Sequence, residues 1–341
     1  MRVRARAAFD QLGAAVREVC WRPAAAFGAL LPRAQPISAE RCGAPLGTRV
    51  ALFCHFDGEG KVAEHVRRYI GALRAADLSI VFVTNAGRLE PEAREWLLER
   101  CAWVIVRRNR GLDFAAWRDA LSVAGLPRPE TELLLIANDS VYGPFMPITH
   151  LLSQMPAAEA DVWGLTESWQ HRYHLQSYFL AFSGAALRSS AFASFWEGVR
   201  DLPSKTAVIR KYEVGLTQYL LSHGLRCRAL WPYVDLVSSL GTSEREKERD
   251  DDPTAKDVLC RGTDLANAQV AAQRKPLNPT ANLWRPLLAG GFPFLKRELL
   301  RSNPTGIADV GAWLDIVRAA SPVEADVILR DLTRSLRNLA P

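Results

Sequence analysis

A short polar run behind an apolar one is the first place where chemistry can be read. Leu133–Ala137 (LLLIA) leads into Asn138-Asp139-Ser140-Val141-Tyr142-Gly143-Pro144. A carboxylate at the end of a buried strand is placed to hold Mg2+ or Mn2+, which take one or two carboxylates with phosphate oxygens and water. The same residue types also close an Asx-turn. A second cluster, Arg107-Arg108-Asn109-Arg110-Gly111-Leu112-Asp113-Phe114, gathers three guanidinium groups where a strand meets a helix. Such charges are costly to desolvate alone, so the cluster points to an anionic ligand. Asp113 by itself also fits a helix cap. Glu213, in KYEVGLTQYLL, opens a helical pattern. A carboxylate there either answers the helix dipole or, over a cleft, acts as a general base.

Weaker signals sit at other turns. His55-Phe56-Asp57-Gly58-Glu59-Gly60 and Thr84-Asn85-Ala86-Gly87 each follow an apolar strand. Glycine lets backbone approach a ligand, and the next helix offers amide donors to an anion. The first turn is neither GxGxxG nor GxxxxGK[ST], and taken alone it reads more often as a plain turn; the second can present side-chain hydrogen bonds. His171 and His174 lack a metal-binding pattern such as HExxH, and the loop with Trp169, Tyr173 and His174 is expected to face a sugar. Gly290-Gly291-Phe292-Pro293-Phe294, followed by Lys296 and Arg297, either closes over a ligand or braces the main body.

The elements that must position these residues alternate along the chain. Strands are predicted at Val50–Phe56, Leu78–Thr84, Val104–Val106, Leu133–Ala137, Asp161–Thr166 and Tyr178–Ser183. Helices are predicted at Lys61–Ala75, Pro91–Cys101, Asp113–Ala124 and Phe192–Val199. This alternation argues for an α/β fold with a mostly parallel central sheet and helices on both faces. Ligands of such sheets bind beyond the carboxyl ends of the strands. Trp284–Leu288, Leu295–Leu300, Val310–Ala319 and Val323–Pro341 read as a helical C-terminal extension packed on the main domain.

The whole chain has 341 residues, 48% hydrophobic and 23% charged, with a net charge of +6. That composition excludes disordered, collagen-like and disulfide-scaffold classes. The mild basic excess favours anionic partners without naming one. No apolar run approaches the ~20 residues of a spanning helix. The six cysteines include no CxxC pair and are expected to be reduced, which suits a cytoplasmic protein. Residues 1–34 carry Arg2, Arg4, Arg6, Arg17, Arg22 and Arg33 between apolar stretches. They read either as a basic amphipathic segment on an anionic membrane face, or as a poorly ordered arm or a helix packed on the body. Nucleic acid is not an expected partner: arginine and lysine are interspersed with carboxylates, and EREKERDDD at Glu244–Asp252 reads as a solvated loop.

Together, FCHFDGEGKV, the VTN turn, RRNRGLDFAAWRDAL, ANDSVYGPF, SYFLAFS, KYEVGLTQYLL and NPTANLWRPLLAGGFPFLKRELLRSNP resemble the rhamnan synthesis F family of bacterial cell-envelope glycosyltransferases. The resemblance spans roughly residues 49–305. It implies a GT-A-like fold; with the basic arm read from the residues over 1–48, the chain divides into that arm, a glycosyltransferase domain over 49–277 and a helical extension over 278–341. It also implies transfer of a sugar, rhamnose, from a nucleotide-diphosphate donor to a growing polysaccharide or lipopolysaccharide glycan with a lipid-linked acceptor. Contact with the inner membrane would be peripheral. In such enzymes a short acidic motif binds metal and diphosphate, and Asn138-Asp139-Ser140 matches it with one carboxylate in place of two. Asp139 is then the expected metal ligand for Mg2+ or Mn2+, and Glu213 the catalytic base of an inverting transfer. Arg108, Arg110, Lys296 and Arg297 are candidate diphosphate partners. His55, Asp57, Asn85, Gly111, Asn138 and Ser140 are expected near the nucleotide, with Asp113 on the ribose or sugar. The missing second carboxylate keeps a catalytically silent sugar-binding subunit as the alternative.

Overall fold

The computed structural model describes residues 21–23, 25, 26, 28, 32–238, 276–307 and 310–337. Most of the basic segment 1–34 and the acidic loop Glu244–Asp252 lie outside the described residues.

Eleven described strands carry the frame: β1 (Ser38–Arg41), β2 (Arg49–His55), β3 (Ser79–Thr84), β4 (Trp103–Val106), β5 (Leu133–Asn138), β6 (Val141–Tyr142), β7 (Val162–Ser168), β8 (His174–Leu175), β9 (Phe179–Ser183), β10 (Cys227–Trp231) and β11 (Leu295–Lys296). The main sheet has the order β1-β4-β3-β2-β5-β9-β7-β10, with β8 on β7. Strands β4, β3, β2 and β5 are mutually parallel, as are β7 and β10, and β9 runs antiparallel between β5 and β7. The sheet is therefore mostly parallel, as the alternation of elements predicts.

Between the strands lie α1 (Glu64–Ala75), α2 (Pro91–Leu98), α3 (Leu112–Ala124), α4 (Ile148–Ser153), α5 (Gly184–Arg188), α6 (Ser190–Gly198), α7 (Lys205–Val208) and α8 (Val214–Ser222). After β10 come α9 (Pro279–Asn282), α10 (Trp284–Ala289), α11 (Arg297–Arg301), α12 (Trp313–Ala320) and α13 (Pro322–Arg337). No helix among the described residues is long and apolar enough to cross a membrane.

The strands read as unbroken apolar runs because both faces of the sheet are covered. Val50, Leu52, Cys54 and Ile136 face one core with Phe114 and Trp117 of α3. Their neighbours Ala51, Phe53, Leu135 and Ala137 face the other, with Val66, Tyr69, Ile70 and Leu73 of α1. Each fully buried Val, Ile or Leu on such a face contributes about 1.5–3 kcal/mol. A third cluster joins Tyr142 and Leu295 to Trp284, Trp313, Ile328 and Leu332, and fixes the C-terminal helices to the body.

Two local expectations need correction. β1 pairs antiparallel with β4, so the sheet begins at Ser38, inside the stretch expected to be an arm. Leu295–Lys296 is a short strand instead of the start of a helix. It pairs antiparallel with β6, setting Leu295 against Tyr142 and Lys296 against Val141. Gly143 makes that approach feasible: its φ is +113°, and a Cβ there would lie 2.4 Å from the Pro293 carbonyl oxygen.

Candidate functional site

Strands β2, β3 and β5 run in the same direction and end side by side. Their last residues and the turns that follow open into a cavity of about 650 Å3. That lies within the ~300–1,000 Å3 typical of small-molecule sites. His55, Asn85, Asp113, Asn138, Asp139, Ser140, Glu213, Lys296 and Arg297 all line it. The cavity sits where a parallel sheet places its ligands.

A hydrogen-bonded chain crosses the cavity floor. Asn138 Nδ2 donates to Asp113 Oδ2 at 3.2 Å, and its Oδ1 accepts from Ser140 Oγ at 2.5 Å. Lys296 Nζ in turn donates to Ser140 Oγ at 3.2 Å and lies 5.1 Å from the Tyr178 ring centroid. Burial pushes Asp113 up to about 6, and the negative charge of Glu213 adds to the shift, against the amide donor of Phe114. Burial likewise pushes the Lys296 ammonium down, against the pull of Glu213. No carboxylate among the described residues lies within ion-pair distance of Lys296.

Glu213 is not a helix cap, as its sequence position had allowed. It ends a π-helical turn, Ile209–Glu213, that runs straight into α8 with right-handed helical backbone. Such bulges recur at functional sites because the extra residue re-aims side chains. Glu213 Oε1 accepts from the backbone N–H and the hydroxyl of Ser177, at 2.9 and 3.0 Å. Ser177, Gln176 and Tyr178 line the cavity at the start of β9. Gln176 is fixed by Thr166 at 2.8 Å and donates to Asn278 at 3.2 Å. The loop signal at 169–174 lay just upstream of these residues; the aromatics it marked do not line the cavity. Trp169 is exposed and packs on Tyr173 with centroids 5.1 Å apart and the rings tilted by 59°, while His174 is buried.

Four expected residues stand elsewhere. Asp57 Oδ1 accepts from the amides of Glu59 and Lys61, and its other oxygen pairs with Arg334 at 2.8 Å. Burial alone would raise its pKa, but Arg334 and those amides outweigh it and hold it low. Gly111 starts α3 with φ +73°, where a Cβ would meet Ala115 at 2.6 Å and Asp201 at 2.8 Å; steric need explains it. Arg108 and Arg110 are exposed outside the cavity. The buried member of that cluster is Arg107, fully enclosed. It donates to Asp119 at 2.8 Å, to Asn85 Oδ1 at 2.5 Å and to the Arg110 carbonyl at 2.8 Å. The arginine turn therefore answers its own acids and holds Asn85 in place. Asn109, not singled out in the sequence, lines the cavity from this turn.

His55 is buried, with Nδ1 3.0 Å from Thr84 Oγ1, and burial holds its pKa below the usual histidine range. Asp139 is also committed. Arg297 Nη1 donates to its Oδ2 at 3.0 Å and to its backbone oxygen at 2.7 Å. Arg297 Nη2 reaches Asp331 of α13 at 3.1 Å, and Asp331 accepts from Tyr142 at 2.8 Å. A divalent cation needs open carboxylate oxygens. Here the nearest carboxylate faces a guanidinium, and residues 138 and 140 are an amide and a hydroxyl. Among the described residues no three His, Cys, Asp or Glu side chains gather as metal ligands. One paired carboxylate, an amide and a hydroxyl are a poor fit to the divalent cation expected on Asp139.

Comparison with known proteins adds the following. The virulence protein VirA of Vibrio anguillarum is 29% identical over 266 residues, covering 77% of this chain and 82% of VirA. The uncharacterized protein y4gN of Sinorhizobium fredii is 26% identical over 204 residues, 59% of this chain and 53% of that protein. Among solved structures, the mannosyltransferase PcManGT of Pyrobaculum calidifontis, in complex with GDP-Man and Mn2+, aligns with TM-score 0.37 and 11% identity, over 93% of each chain. Residues 80–242, from β3 past β10, match the family model described as rhamnan synthesis protein F, and over that span the resemblance drawn from the motifs holds.

Proposed function

We propose that this protein is a glycosyltransferase that moves rhamnose from a nucleotide-diphosphate donor to a growing cell-surface polysaccharide or lipopolysaccharide glycan. One observation carries the reading: a general-base candidate, Glu213, and two cations, Lys296 and Arg297, open into one cavity at the strand ends. The family match over residues 80–242 supports the same class of chemistry.

An inverting transfer follows from the residues present. The acceptor hydroxyl oxygen attacks the anomeric carbon, the bond from that carbon to the diphosphate oxygen breaks, and Glu213 takes the hydroxyl proton. Ser177 holds one carboxylate oxygen through two hydrogen bonds, which fixes the other for the proton. Lys296 and Arg297 offset the charge that develops on the departing diphosphate. His55, Asn85, Asn138 and Ser140 are assigned to the nucleotide, and Asp113 to the ribose or the sugar. The acceptor is assigned as lipid-linked and the reaction to the cytoplasmic face of the inner membrane, in keeping with the basic segment over 1–34.

The test is a transfer assay with a panel of nucleotide-diphosphate sugars and a glycan primer, alongside thermal shift. The expected result is transfer from a rhamnose donor that also raises the melting temperature, since a ligand of the folded state stabilises it. Stabilisation by a nucleotide-sugar with no transfer to any primer would favour a silent sugar-binding subunit.

A further inference from the structure

We infer that the cavity grips the diphosphate of its donor without a divalent cation, with Lys296 and Arg297 standing where a metal ion would. The inference rests on the nucleotide-sugar reading of the site. Arg297 is locked at the end of β5: its amide donates to the Ser140 carbonyl at 2.9 Å, and its guanidinium bridges Asp139 and Asp331. It also lies 5.6 Å from the Tyr142 ring centroid. A metal on Asp139 would have to sit beside this fixed positive group, and like charges at such range repel.

Arg297 is not fully used. Its Nε is buried with no acceptor among the described residues, so the charge of the group is not fully answered by the protein. Lys296, the neighbouring residue, has a single hydrogen-bond acceptor, Ser140 Oγ, and no ion pair among the described residues. Its ammonium therefore brings donors and a positive charge into the cavity that the protein does not neutralise at contact distance. A diphosphate supplies the missing acceptors, through charge-assisted hydrogen bonds. Both cations come from β11 and α11, on the C-terminal side of residue 242 where the family match stops. The C-terminal extension thus completes the donor site.

Isothermal titration of the full chain with UDP, GDP and dTDP, in excess EDTA or in saturating Mn2+, tests this. At least one diphosphate is expected to bind, with dissociation constants in the two buffers within about fivefold. Lys296→Met is expected to weaken it by more than about tenfold in EDTA, and Lys296→Arg to recover most of the loss. Circular dichroism checks folding; among the described residues the Lys296 ammonium contacts Ser140 and the Tyr178 ring, neither of them a carboxylate. Tightening by Mn2+ of about fivefold or more, or an unchanged Lys296→Met, would overturn the inference while leaving the nucleotide-sugar reading in place. Failure of all three diphosphates to bind in either buffer would overturn both.

Discussion

The turn over 107–113 and the turn over 290–297 are both glycine-containing and basic, and both meet the carboxyl end of the sheet. In the first, Arg107 is enclosed and spends its donors on Asp119, Asn85 and two backbone carbonyls, while Arg108 and Arg110 face solvent. In the second, Lys296 and Arg297 line the cavity, and only Arg297 is balanced by carboxylates. Charge in a sequence thus says that a partner is needed. Whether the partner is the protein or a ligand depends on which acids the fold brings within reach.

Removing Arg107 should show the largest effect on stability. Its loss leaves Asp119 and Asp201, both buried, to share the single guanidinium of Arg118. Arg107→Met should cost about 3–5 kcal/mol in denaturant unfolding, as breaking a buried pair does. A change under about 1 kcal/mol would break the contrast, by showing that this turn is not a structural hub.

Lys296→Met should reverse that pattern. Donor affinity falls by more than about tenfold while the melting temperature stays within a few degrees, because no buried acid loses its partner. Loss of stability with unchanged affinity would make the two turns equivalent.

Asp113 gives a smaller, pH-dependent signal. An exposed aspartate releases its proton near 3.8, whereas folded Asp113 keeps it to about 6. Between those values the folded state holds the extra proton, so the stability that Asp113 contributes falls as pH rises through the window. Asn cannot ionise, so the melting temperature of Asp113→Asn relative to the parent should rise between about pH 4 and 7. A flat difference would show that burial does not hold the Asp113 proton in the folded state. The smallest effect is expected for the double variant Arg108→Ala and Arg110→Ala: stability within about 0.5 kcal/mol and donor binding within about twofold.

Much of this was legible from residue order. The apolar runs behind β2, β3, β5, β7 and β9 mark the sheet, because strands covered on both faces must be apolar throughout. Asn138 to Ser140 are legible because polar residues directly after such a run fall at a strand end, whereas Glu213 is legible only as a carboxylate in a helical pattern, without its π-helical turn. The pairing of Asp139 with Arg297 was not, since the partners are 158 residues apart in the chain and meet only through the β6–β11 ladder. The motifs NDSVYGPF and GFPFLKRELL carry that contact: Gly143 clears the Pro293 carbonyl, and the Phe145 amide donates to it at 2.8 Å. The role of Arg107 escaped for the same reason, because Asp119 lies on a helix face and Asp201 far along the chain. Ser177 gave no signal, since a serine beside a strand is ordinary until a carboxylate stands opposite it.

The most direct measurement is steady-state transfer by Glu213→Ala, paired with donor binding by titration. The account predicts turnover lower by about a hundredfold to ten-thousandfold, with donor affinity held within about threefold. Unchanged turnover, or equal loss of turnover and donor affinity, would contradict it.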